Sequence, residues 1–144
     1  MPEFGLVSLS VGGRRIALPC GTVRTLLAWH DPWPLPRCAP WMRGLVAYGG
    51  QAVPVLQQTF LGESESAPDV LVVLDLGGRL LAVPGVSPSL VELRDQGPDR
   101  AGGSGFWSGE VDDGGVGAAC VDVARLYTAL GLHYNWSGSD RGPS

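Results

Sequence analysis

Residues 44–57, GLVAYGGQAVPVLQ, decide how the chain is to be read. Two apolar runs flank Gly49-Gly50, and paired glycines supply the positive φ that both central positions of a primed hairpin turn require. The stretch therefore predicts two antiparallel strands, MRGLVAY (42–48) and QAVPVLQ (51–57). Pro54 has no N–H to give a ladder, which predicts an edge position or a bulge. No group in the segment is reactive.

The same pattern recurs outward. FGLVSLSV (4–11) alternates, with a phase slip near Val7, and turns at Gly12-Gly13 into RRIALPC (14–20). DVLVVLDLGGRLLAVPGV (69–86) pivots on Gly77-Gly78, and FWSGEV, DDGG and VGAACVDV (106–123) form a further strand pair. TVRTLLAW (22–29) reads as a strand or a single helical turn, and the Pro-rich DPWPLPRCAP (31–40) as extended loop. GESESAPD (62–69) is a polar linker, Leu90 to Leu93 a short strand, and 95–105 a Gly-rich charged loop. Helical spacing runs from Val121 to Leu132 with Gly131 as the stop, and the tail SGSDRGPS is polar. Nine or ten short strands ending in one helix predict a mainly β domain, barrels or a sandwich rather than a parallel sheet.

Composition narrows the function. All ten basic residues are Arg, so Schiff-base and P-loop lysines are excluded. Net charge is −4 with no basic run, which offers nucleic acid or an anionic membrane surface little to hold. The apolar stretches are short and MPEFG lacks a signal-peptide pattern, so the expectation is a cytoplasmic chain without direct membrane insertion. Cys20, Cys38 and Cys120 read as reduced thiols, the first and last in apolar strands.

Other groupings fall short of a site. Cys38 with His30 lacks an oxyanion-hole motif, and His30 and His133 lack metal-ligand spacing. Asp112-Asp113 before two glycines reads as a turn, and Gly102-Gly103 opens no helix. Asn135-Trp136-Ser137 is a sequon without a secretion signal, and nothing pairs Asp75 with Asp122. The expectation is no catalytic residue, no metal, no cofactor and no enzyme activity.

The order of motifs resembles the CheW family of chemosensory coupling proteins. SLSVGGRRIALPCGTV, PLPRCAPWMRG, GLVAYGGQAVPVLQQ, VLVVLDLGGRLLAVPGVSPSLVEL and FWSGEVDDGGVGAACVDVARLYTAL follow one another as that family's elements do, across about residues 4–132. The resemblance implies one CheW-like domain (4–134) of two five-stranded SH3-like barrels, about 4–64 and 65–134, with strands that can be exchanged between them and a C-terminal helix. Residues 135–144 would be a tail.

It further implies a non-catalytic adaptor that couples the cytoplasmic tip of a methyl-accepting chemoreceptor to the regulatory domain of a CheA-like histidine kinase. The receptor tip would dock between the barrels and the kinase domain against a barrel end. Carried over onto this sequence, the protein-binding positions are Val23, Thr25, Gly44, Leu45, Val46, Gly49, Gly50, Gln51, Val53 and Pro54, with Gly44 letting a partner backbone come close. Trp41 and Met42 read as turn and core packing, and at least one of Trp29 and Trp33 as exposed.

Three places depart from the family pattern. Ala47 and Gly49 stand where Asn and Arg are usual, Gln57-Gln58 where Asp-Leu is usual, and Val83-Pro84 where Val-Asp is usual. The alternative is therefore a divergent interaction module serving motility or polar localisation. A small-ligand barrel or a cysteine-dependent enzyme comes last.

Overall fold

The computed structural model describes residues 4–92 and 105–132. Residues 95–104 of the loop read at 95–105, His133, the sequon and the tail lie outside the described residues. In chain order the elements are β1 (Phe4–Val11), β2 (Arg14–Pro19), β3 (Val23–Ala28), β4 (Met42–Tyr48), β5 (Gln51–Leu56), α1 (Gln58–Leu61), β6 (Val70–Leu76), β7 (Arg79–Glu92), β8 (Trp107–Asp113), β9 (Val116–Val121) and α2 (Val123–Ala129).

Four antiparallel hairpins, β1–β2, β4–β5, β6–β7 and β8–β9, each turn on a Gly-Gly pair. All eight of these glycines have positive φ, the conformation that the paired-glycine reading required. Asp75 and Asp112 brace the last two turns, accepting from the N–H groups of Gly78 (2.9 Å) and Gly115 (3.4 Å). The turn reading of Asp112 holds.

The ladders link the strands in the order β3-β6-β7-β1-β2-β9-β8, with β5 joining β7 and β4 joining β5. The long β7 makes this possible, because its first half pairs with β6 and its second half with β1. Leu90 is therefore no separate short strand but the far part of β7. Between the halves, Ser87 takes φ +56°, costly for a residue with a Cβ. Arg15 holds the crossing, its guanidinium donating to the Ser87 carbonyl (2.8 Å) and to the Ser8 hydroxyl (2.8 Å). The β2–β9 and β5–β7 pairs are parallel, so the fold is mainly β with mixed sheets and a C-terminal helix.

Burial explains the irregular sequence patterns. Leu6, Val7, Ser8 and Leu9 are all buried because β1 lies between β2 and β7 and is covered on both faces, which produces the phase slip at Val7. The unbroken apolar run of β6 has the same cause. Val70, Val72 and Leu74 enter the large core with Leu9, Ile16, Leu81 and Leu126, whereas Leu71 enters a second cluster with Val46, Val53, Val55 and Ala82.

Pro54 corrects the sequence reading. β5 is no edge strand, since it has β4 on one side and β7 on the other. The link to β7 is a single bridge at Val55–Ala82, and the bulge lies across the ladder in β4, between Met42 and Gly44. A residue without an N–H fits there because few ladder bonds are asked of its outer side.

The C-terminal helix is shorter than its periodicity suggested, for Val121 closes β9 and Asp122 is the N-cap, accepting from the Arg125 N–H at 3.2 Å. At the other end Gly131 (φ +79°) donates to Thr128 O, and Leu132 to Tyr127 O, the paired bonds of a Schellman stop. Val123, Leu126, Tyr127 and Leu130 pack on the large core. The Tyr127 hydroxyl donates its one proton to Arg79 O (2.7 Å), with Leu74 O a second, longer acceptor at 3.3 Å, tying the helix to the β6–β7 hairpin.

α1 has no counterpart in the sequence reading. Its Gln58 is almost fully buried, accepts from Gly12 N (3.2 Å) and donates to Ser66 O (2.7 Å). One of the glutamines that depart from the family pattern thus sews the 62–69 segment to the β1–β2 turn. Residues 23–28 are strand rather than helix, entered through a single 3-10 turn at Cys20–Thr22. Cys20 therefore sits in that turn and not in a strand, half-buried, and burial pushes its thiol pKa up.

Candidate protein-interaction surface

The carried-over positions separate into two ends of one sheet region. At the first end Arg24 on β3 forms an ion pair with Asp75 on β6 (3.0 Å). Tyr48 at the end of β4 and then Asp75 raise the Arg24 pKa above its ordinary value, which puts the start of β3 beside the end of β4. The Gly49-Gly50 turn and Gln51 follow directly and are exposed. Gln51 and Pro54 line a depression of about 370 Å³ together with Gly77, Gly78, Arg79 and Leu132.

At the second end the Arg43 guanidinium lies 5.0 Å from the Trp29 ring centre, again joining β3's end to β4's start. Here the Pro-rich loop folds back. Trp33 and Leu45 exchange backbone hydrogen bonds of 2.8 and 2.9 Å, which covers part of β4's outer edge. A Cβ on Gly44 would stand 2.5 Å from Trp33 O and 3.0 Å from Pro32 Cβ. The close approach that Gly44 allows is therefore filled by the chain's own loop. Leu45 is half-buried in the same contact.

Val46 (3% exposed) and Val53 (0%) belong to the second cluster and present no surface. Val23 and Thr25 are half-buried on β3, which has no second ladder partner among the described residues. Val23 packs at the border of the large core and pairs with Leu74, while Leu26 pairs with Val72 on the same side and is 45% exposed. Thr25 pairs with Val73, and its neighbour Leu27 packs into the second cluster.

Leu26 was missed by sequence reasoning, because the bulge between Val23 and Thr25 shifts the alternation and only the ladder reveals which leucine faces out. Trp33 is 75% exposed and Leu35 38%, whereas Trp29 is half-buried, so the Pro-rich loop does expose one tryptophan.

The groups weighed for chemistry stay apart. The Cys38 thiol donates to Met42 O (3.4 Å) and has no hydrogen bond to the exposed His30. Asp75 serves Arg24 and Gly78, while Asp122 caps α2 and pairs with Arg125 (3.6 Å), so the two carboxylates share no partner. Among the described residues no group of three metal-ligating side chains gathers, and no helix is long and apolar enough to cross a membrane.

The family model for the CheW-like domain matches residues 5–129. The chain belongs to the CheW-like domain family. That membership carries the family's general role, a scaffold or adaptor in chemotaxis signal transduction. Among solved structures, the fold is similar to that of the scaffolding protein TtCheW from Thermoanaerobacter tengcongensis, with a TM-score of 0.69 at 12% identity, covering 84% of this chain and 89% of that one. No curated protein matches this CheW-like sequence.

Proposed function

We propose that this CheW-like chain couples the cytoplasmic tip of a chemoreceptor to the regulatory domain of a CheA-like histidine kinase. In this reading the strands curl into two five-stranded SH3-like barrels, one around β3–β6 and the first half of β7, the other around β1, β2, β8, β9 and the second half of β7. β1 and β2, and in return β6 and the first half of β7, are then the exchanged strands of a single 4–134 domain. The receptor's helical tip docks along β3 at Val23 and Leu26, and the kinase domain against the barrel end that carries Gly49, Gly50, Gln51 and Pro54. Recruitment from the cytoplasm to receptor arrays follows from the first contact.

The observation that carries the reading is the apolar border of β3. Leu26 is 45% exposed beside half-buried Val23, on a strand with no second ladder partner among the described residues. Exposed aliphatic groups next to a core are what a helix bundle tip buries when it docks. Gly44, Leu45, Val46 and Val53 support the surface from behind, as residues that shape the strands.

A second reading keeps the scaffold and changes the partner. Gly49 stands at the family's Arg position, so the β4–β5 turn offers no charge there, which favours an interaction module for motility or polar localisation that has lost one contact. One experiment separates the two: immobilised protein is offered the kinase regulatory domain and the receptor signalling tip from the same genome. Capture of both at about 10–50 μM supports coupling; capture of neither sinks it and leaves the second reading.

A further inference from the structure

A depression of about 730 Å³ opens on β2 and β9, at the far side of the sheet order from β3, lined by Ser10, Gly13, Arg14, Arg15, Val116 and Gly117 among others. The Arg14 guanidinium carbon lies 4.2 Å over the centre of the Trp107 ring. Trp107 is itself held by Phe106, which stacks on Phe60 at 5.6 Å. Arg14 is thus held over the ring, and among the described residues no carboxylate lies within ion-pair distance of it. A stacked guanidinium keeps its N–H edges outward, and that planar fork matches a carboxylate's two oxygens.

The surroundings narrow the ligand. Arg15 adds a second positive charge, anchored by its bonds to Ser8 and Ser10. Val116 is an apolar wall, 54% exposed. On the other rim the Glu110 carboxylate lies over Gly117, 3.4 Å from where a Cβ there would stand. That negative rim disfavours a compact polyanion at the centre. It tolerates a side-chain carboxylate that reaches Arg14 while a neighbouring apolar side chain covers Val116.

We infer that Arg14, stacked on Trp107, is a docking point for an acidic and apolar segment of a partner protein. The surface is separate from the β3 border, so its failure would leave the coupling proposal standing.

The test follows the Arg14 Nε–H and Trp107 indole N–H resonances of the full chain while an alternating Glu-Leu peptide is added. Lys-Leu peptide and inorganic phosphate are the comparators. The Glu-Leu peptide is expected to shift both resonances, Arg14→Gln to weaken binding about tenfold or more, and Arg14→Lys to fall between. Arg14→Lys keeps a cation over the ring and carries the comparison should Arg14→Gln lose its fold. Equal binding by the variants, equal shifts from the Lys-Leu peptide, saturation by phosphate alone, or no shift at about 1 mM Glu-Leu peptide would each overturn the inference.

Discussion

Gly44→Ala distinguishes a glycine kept for a partner from one kept for the chain itself. The added methyl would sit 2.5 Å from Trp33 O and 3.0 Å from Pro32 Cβ, and both are held in place by the loop's own hydrogen bonds to Leu45. The loop must lift, and the Trp33–Leu45 bonds of 2.8 and 2.9 Å go with it. Two such bonds contribute about 2–3 kcal/mol, and the lower unfolded-state entropy of alanine returns about 0.5–1 kcal/mol. The net loss is about 1–2 kcal/mol, or roughly 3–8 °C in Tm for a chain of this size. Urea unfolding of the two proteins side by side measures it. Unchanged or raised stability, with receptor-tip binding lost, would refute the structural argument and restore Gly44 as a partner contact.

Other changes probe the remaining links. Burial, and to a lesser degree Asp75, raise the Tyr127 hydroxyl pKa above its ordinary value, so the neutral phenol is the folded form's preference. Stability from this group is complete below the unfolded value of about 10 and declines as pH rises beyond it. Tyr127→Phe is expected to cost about 1–2 kcal/mol at neutral pH yet to lose less on going to pH about 11, as read by urea midpoints. Gln58→Leu strips the partner from the buried Gly12 N–H and should cost about 1–3 kcal/mol in the same assay.

Ser87→Gly removes the strain of a left-handed serine and should gain about 0.5 kcal/mol after glycine's entropy is counted; a loss would mean the φ is not strained. Leu26→Ser should leave stability within about 0.5 kcal/mol while receptor-tip binding falls severalfold, a split visible by titration calorimetry.

The hairpins were legible in the sequence because Gly-Gly pairs declare their own backbone conformation. The helix stop at Gly131 was legible for the same reason. The site was less legible. Gly44 looks alike in sequence whether a partner or Pro32-Trp33 fills the space above it, and Val46 and Val53 read as surface or core with equal ease. Their burial depends on Leu71 and Ala82, which arrive from another hairpin. Gln58 read as the loss of a family residue, since its partners at Gly12 and Ser66 meet it only when the chain is folded.

By itself, then, the sequence determined where the chain turns, which runs are strands, the capped helix and the family to which the order of motifs belongs. These are matters of local backbone preference and of short-range spacing. Only the tertiary structure decided that β7 serves two sheets, that β5 is enclosed, that Leu26 faces outward and that Arg14 lies on Trp107. Each of those depends on pairing between residues far apart in the chain, where long-range burial and ladder register select among arrangements that local preferences leave equal.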